Sequence, residues 1–266
     1  MSPLPIAVVL DFDGVISDSA PEAFVVAQET YRELRPASGL DAPGREAAPA
    51  AALYAAFVEW MPLGNRAEDF AVSLDALAEG IAVLDQDEYD AYRSRFDPGF
   101  LADFHTRFYE VRHAFAARDP EAWRNCMRPY PAIVDALRLS SGKPKMVIAT
   151  AKDRLSVRRL LHDYGLDGHF PDDRIFDKEV GVRKRAHLER IREKFGCAFE
   201  QLRFVDDKLN HLEDVASLGV ECVLASWGYN GPREEAGARA AGFEVATLAD
   251  AEALLFSPRF RAAARP

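Results

Sequence analysis

The sequence predicts an α/β protein: a Rossmann-like parallel sheet core whose first strand is separated from the others by an inserted α-helical cap domain. Three observations carry this prediction. Short continuous apolar runs recur in the second half, at Lys145 to Thr150, Leu202 to Asp206 and Val220 to Ala225. Helical patterns lie between them, the alternation expected of a parallel sheet covered on both faces. A further apolar run, Ile6 to Leu10, stands alone near the start, followed by more than a hundred residues with few strand patterns.

Taken in order, the stretch "IAVVLDFDGVISD" from Ile6 to Asp18 is a run of β-formers that ends abruptly in Asp11 and Asp13, followed by Gly14. In the segment after it, Phe100, Phe104, Phe108, Val111 and Phe115 recur at helical spacing with charges between them, and read as the core of the insertion. Arg35 to Ala52 is rich in Ala, Pro and Gly and reads as a loop. Trp60 to Glu68 reads as an interhelical turn, one that could also present Asn65 or Arg66 to a polar substrate. The chain is expected to leave the sheet at Asp18–Ser19 and to return near Tyr130–Pro131. The expected domains are therefore 1–18 with 130–266 for the core, and 19–129 for the helical insertion. Beyond it, Ala186 to Phe195 places Leu188, Ile191 and Phe195 on one helical face, and Leu212 to Leu218 reads as a helix stopped by Gly219. The Arg259, Arg261 and Arg265 end reads as solvated tail.

Composition narrows the function classes. The 266 residues carry 33 basic and 43 acidic side chains, a net charge of −10, which argues against a nucleic-acid partner because phosphate backbones need a basic footprint. Cys126, Cys197 and Cys222 show no metal or disulfide spacing and read as reduced thiols. No apolar segment approaches the ~20 residues that span a bilayer, so no membrane partner is expected. The first apolar run ends in carboxylates rather than a cleavage site, so no secretory signal is expected and the location reads as cytoplasmic.

In open parallel sheets, ligands gather at the carboxyl ends of strands. Asp11 and Asp13 lie at one such end, Thr150 at another, and Asp206 and Asp207 at a third. These are hard oxygen donors, which suit Mg²⁺ better than a transition metal. A carboxylate facing a phosphate oxygen at about 4 Å is repelled by about 4 kcal/mol at an effective dielectric near 20; a divalent cation between them reverses the sign.

These residues resemble the haloacid dehalogenase superfamily, in particular its phosphoglycolate phosphatase-like members. Asp11-Phe-Asp-Gly-Val is similar to the first motif, Thr150 closing "MVIAT" to the second, a lysine ahead of the Ala186 helix to the third, and "FVDDKLNHLEDV" to the fourth. "SWGYNGPRE", from Ser226, resembles a loop after the fifth strand. The resemblance implies that Asp11 is a nucleophile forming an aspartyl-phosphate and that Asp13 is the acid–base group. It implies Mg²⁺ held by Asp11, the Asp13 carbonyl and an acid of the fourth motif, Asp207 being the better candidate and Asp206 close by. Thr150 and the backbone N–H groups of Phe12 and Ala151 would hold phosphoryl oxygens. Lys184, preferred over Lys178 for its place just before the helix, would neutralise developing charge. Dehalogenases proper lack an acid at the place of Asp13, so its presence favours an oxygen leaving group.

His211 stands where many relatives carry Asp or Asn; it reads either as an exposed helix residue or as one facing the site, where it would make metal affinity weaker or more pH-sensitive. The function implied is a Mg²⁺-dependent phosphatase of a small phosphorylated metabolite, as monomer or homodimer. Its rivals are a phosphomutase of the same group and a catalytically idle binding protein. The insertion in such relatives closes over the site and meets the leaving group.

Overall fold

The computed structural model describes residues 3–36, 50–82, 85–142, 144–181 and 183–262. Most of the loop expected at Arg35 to Ala52, and Arg265 of the tail, lie outside the described residues. The chain forms two compact units, Met1–Asp18 with Arg128–Pro266, and Ser19–Met127.

The first unit is built on the parallel α/β sheet that the sequence predicts. Its strands are β1 (Ala7–Leu10), β4 (Lys145–Ala149), β5 (Ile175–Phe176), β6 (Leu202–Asp206), β7 (Glu221–Ala225) and β8 (Glu244–Ala246). A separate antiparallel ribbon pairs β2 (Ser17–Asp18) with β3 (Arg128–Pro129). The sheet order is β5-β4-β1-β6-β7-β8, all parallel. β1 is therefore central, with Leu10 in register with Ile148 on one side and Val205 on the other. That register brings the residues after all three strands to one edge.

Both faces of the sheet are buried. Ala7, Val9, Val147, Ala149, Leu202 and Phe204 pack under Leu188, Ile191, Leu212 and Val215 of the helices Lys184–Phe195 and Leu209–Ala216. The alternate residues Val8, Leu10, Met146, Ile148 and Val205 are equally inaccessible. The two helices start earlier than the apolar periodicity suggests, by two residues for Lys184–Phe195, whose first turn is polar, and by three for Leu209–Ala216. Leu209–Ala216 also ends before Gly219, which makes the following turn at φ +86°.

His187 lies wholly buried in the Lys184–Phe195 helix, its Nε2 3.1 Å from the Asp177 carbonyl. Burial, reinforced by the Lys184 charge, lowers its pKa to about 4. The imidazole is thus neutral when folded, whereas the unfolded chain takes up a proton below about pH 6.5. Stability from this group is full above pH 6.5 and is lost as pH falls towards 4. Urea unfolding should show wild type losing about 2–3 kcal/mol more than His187→Gln between pH 7 and pH 4.5. Equal losses would remove this account.

The second unit is helical: Ala20–Leu34, Ala50–Trp60, Ala67–Glu79, Gln86–Arg93, Pro98–Arg118 and Pro120–Asn125. Ala50 to Ala52, expected as loop, open its second helix. Phe104, Phe108, Val111 and Phe115 are buried, and Phe108 meets Phe70, which meets Phe57. Buried Glu22 accepts two hydrogen bonds from Arg112, at 2.7 and 2.6 Å, which offsets the cost of removing its charge from water. Asn65 and Arg66 are exposed in the turn after Trp60, and the Arg66 N–H donates to Asp69 at 3.0 Å to start the next helix.

Candidate active site

Asp11 follows β1 directly, and its backbone N–H continues the ladder to the Val205 carbonyl at 3.0 Å. Asp206 ends β6, so the shared register sets the two carboxylates side by side. Between them lies Lys184, the first residue of its helix. Its Nζ is 2.8 Å from Asp11 Oδ1, 3.3 Å from Asp206 Oδ2 and 2.8 Å from the Ala149 carbonyl. All three ammonium N–H groups are thereby used. Lys178 is exposed on the surface.

The electrostatics follow from burial. Asp11 is raised above the usual carboxylate range by desolvation and by Asp206, against the pull of Lys184. Burial would raise Asp206 too, but Lys184 and His211 outweigh it and hold that carboxyl well below the usual range. Asp207 is pushed up by burial, with Asp206 and Asp11 adding repulsion that Lys208 only partly offsets. The site therefore holds more buried negative charge than its lysines neutralise.

Asp207 is turned differently from Asp206. Its Oδ2 accepts the Tyr229 N–H at 2.7 Å, and the carboxylate is enclosed by two glycines. A Cβ on Gly14 would lie 2.4 Å from Asp207 Oδ2; one on Gly228 would lie 2.3 Å from Asp207 Cβ and 2.5 Å from the Gly14 carbonyl. Gly14 also has φ +81°. The glycine after Asp13 is thus required both by its left-handed backbone and by the aspartate pressed against it. Gly228→Ala meets backbone as well as side chain and cannot be relieved by a rotamer. It should destabilise the fold by about 2 kcal/mol or more, lowering Tm by roughly 4–8 °C; calorimetry showing no change would refute the close approach.

Asp13 pairs with Lys152, whose Nζ is 3.0 Å from Oδ1 and 3.2 Å from Oδ2. The Lys152 N–H in turn donates to Thr150 Oγ at 3.1 Å, so a lysine two residues after the second motif ties Thr150 to Asp13. Phe12 donates its N–H to Asp11 Oδ1 at 2.7 Å, while its ring packs against Tyr164. Ala151 is exposed at the same strand end.

Sequence reasoning did not single out Lys152, nor the bracing by the loop after β7. There Trp227 Nε1 donates to the Val15 carbonyl at 3.1 Å, and Asn230 Nδ2 donates to the carbonyls of Asp207 and Ala225 at 3.0 and 2.8 Å. Only the likeness of the "SWGYNGPRE" stretch to a family loop pointed there.

Of the two readings open to His211, the structure favours the one that faces the site: its Nδ1 lies 3.1 and 3.2 Å from the two oxygens of Asp206. Donor atoms of Asp11, Asp206 and His211 all fall within 4.8 Å of one another. The helix begins at Leu209 rather than Leu212, which puts His211 in its first turn, with the side chain leaning back over Asp206.

A sheet edge with these motifs in this order defines the class. The family model for haloacid dehalogenase-like hydrolases matches residues 7–246, and the chain belongs to that family. Human Magnesium-dependent phosphatase 1 is 31% identical over 106 residues, 39% of this chain; the match spans 58% of that protein's length. A predicted phosphoglycolate phosphatase of Haemophilus somnus shares the fold at TM-score 0.57 and 19% identity, covering 92% of this chain and 95% of its own. So does a HAD family hydrolase of Deinococcus radiodurans, solved with bound phosphate and sodium, at TM-score 0.58 and 16% identity, covering 96% and 99%. No described helix is long and apolar enough to cross a membrane.

Proposed function

We propose that this protein is a Mg²⁺-dependent phosphatase that hydrolyses a small phosphorylated metabolite through an aspartyl-phosphate on Asp11. The observation that carries the reading is the tethering of Asp11 by one oxygen. Oδ1 takes both the Phe12 N–H and the Lys184 ammonium, which orients the carboxylate and leaves Oδ2 for attack on phosphorus. Lys184, fixed by three acceptors, is placed to stabilise charge that develops on the transferring group.

Asp13, 30% exposed at its side chain, reaches solvent while Lys152 fixes its direction. It gives its proton to the leaving oxygen and later takes one from the hydrolytic water. The Thr150 hydroxyl and the Ala151 N–H bind phosphoryl oxygens in this reading; the Phe12 N–H, expected among them, is donated to Asp11 Oδ1 instead. The helical unit Ser19–Met127 is the segment it assigns to recognising the leaving group.

The donor set fits a divalent cation: Asp11, Asp206 and Asp207 are buried carboxylates with excess negative charge, two of them raised by burial first and by their acidic neighbours second. Asp11, the Asp13 carbonyl and the acids of the fourth motif, Asp206 and Asp207, would hold Mg²⁺. When bound, the ion supplies charge neutralisation between the carboxylates and the phosphate. The excess buried charge also weighs against a catalytically idle binding protein, since unpaired buried acids cost stability.

The test is phosphate release from a panel of phosphorylated metabolites. Mg²⁺ should support turnover, EDTA should stop it, and readded Mg²⁺ should restore it. Isomerisation without net phosphate release would identify a mutase instead, and turnover indifferent to EDTA would end the metal-dependent reading.

A further inference from the structure

We propose that His211 is a direct ligand of the divalent cation, so that this site prefers a first-row transition ion such as Mn²⁺ or Co²⁺ over Mg²⁺. The inference rests on the metal-dependent reading above and deepens it. His211 Nδ1 stands 3.1 and 3.2 Å from the Asp206 oxygens. In an octahedral ion with bonds of about 2.1–2.2 Å, neighbouring ligand atoms lie about 3.0–3.1 Å apart. The spacing of the His211–Asp206 pair accommodates two adjacent ligands on one ion, and it is equally that of the hydrogen bond the pair makes without one.

The position is fixed by the chain rather than by chance rotamers. Asp206 closes β6 and accepts the Lys208 N–H at 2.9 Å, which turns the chain into the helix that carries His211 in its first turn. The imidazole keeps 39% of its side-chain surface while facing a wholly buried carboxylate, so its donor edge lies on the cluster and its far edge on solvent. Asp11 completes the group within 4.8 Å.

The chemistry then decides the ion. An all-oxygen set suits Mg²⁺, which binds nitrogen poorly and gives up its water reluctantly. Exchanging one oxygen donor for imidazole moves preference towards Mn²⁺, Co²⁺ and later first-row ions. The same His211 could instead serve only as a hydrogen-bond partner of Asp206, and the two roles separate spectroscopically.

The test uses the metal-free full chain with each metal alone. Pulsed electron paramagnetic resonance of the Mn²⁺-loaded wild-type protein should show coupling to a directly bound imidazole nitrogen, changed in spacing by ¹⁵N-histidine labelling and absent in His211→Asp. Titration calorimetry should show Mn²⁺ bound more tightly than Mg²⁺ by on the order of tenfold or more, the ratio falling at least about tenfold in His211→Asp. Because the nitrogen signal is read in wild type, a variant that fails to fold does not decide the matter. Mn²⁺ bound without nitrogen coupling overturns this proposal and leaves the Mg²⁺ phosphatase reading intact. Binding of neither ion overturns both.

Discussion

Asp11→Asn is expected to abolish phosphate release, by at least about 10⁴-fold in kcat, while the protein stays folded. The size follows from the chemistry: an amide oxygen is a poor nucleophile, and no acyl-phosphate can form on it. The retained fold follows from the surroundings. Asparagine fills the same space and can still accept the Phe12 N–H, while Lys184 keeps Asp206 and the Ala149 carbonyl as partners. Asp11 is raised by burial and by Asp206, so above that raised pKa its charge costs stability rather than adding it. Removing the charge offsets part of what is lost with the Lys184 contact. Circular dichroism and Tm should therefore change little, and acid-quenched phosphoenzyme should disappear together with turnover. Activity within a hundredfold of wild type, with the variant confirmed by mass, would rule out Asp11 as the covalent nucleophile.

How far the sequence carries one towards this site depends on the kind of constraint involved. Asp11, Thr150 and Asp206 could be gathered from sequence because parallel strands deliver their carboxyl ends to one edge, whatever else surrounds them. Register then fixes neighbours: Leu10 is paired with both Ile148 and Val205. The strands Ile175–Phe176 and Glu244–Ala246 escaped notice because two or three residues are too few to display a period. Lys184 was distinguished from Lys178 only by its nearness to a helix, and a polar first turn hides where that helix begins. The sequence leaves the place of His211 open, since a helix start three residues earlier turns a flanking residue into one that faces Asp206. Lys152, Tyr229 and Asn230 act through loops that fold back on the strand ends. Contacts of that kind leave no periodicity and follow from no local propensity.

Lys184→Ala tests the electrostatic core of the site, and it should damage both turnover and stability. With the ammonium gone, Asp11 and Asp206 face each other in a buried setting with Asp207 close by, and Asp206 is left with His211 and the Lys208 N–H as partners. Removing one partner of a buried ion pair costs about 3–5 kcal/mol because the remaining charge is left uncompensated. Turnover should fall by about 10²–10³-fold or more, because a positive charge preorganised beside the nucleophile and the transferring group is lost. Lys178→Ala, on the surface, should change neither by more than about twofold and 0.5 kcal/mol. The two effects of Lys184→Ala separate by pH. Uncompensated carboxylates take up protons more readily than in wild type, so the folded variant binds more protons than the unfolded chain as pH falls below the raised folded values. The stability deficit should therefore narrow from pH 8 to pH 5.5, measured by urea unfolding without divalent metal. Turnover should not recover over the same range, since protonating Asp11 removes the nucleophile. A deficit that does not vary with pH would mean that Lys184 supports the fold by packing rather than by charge.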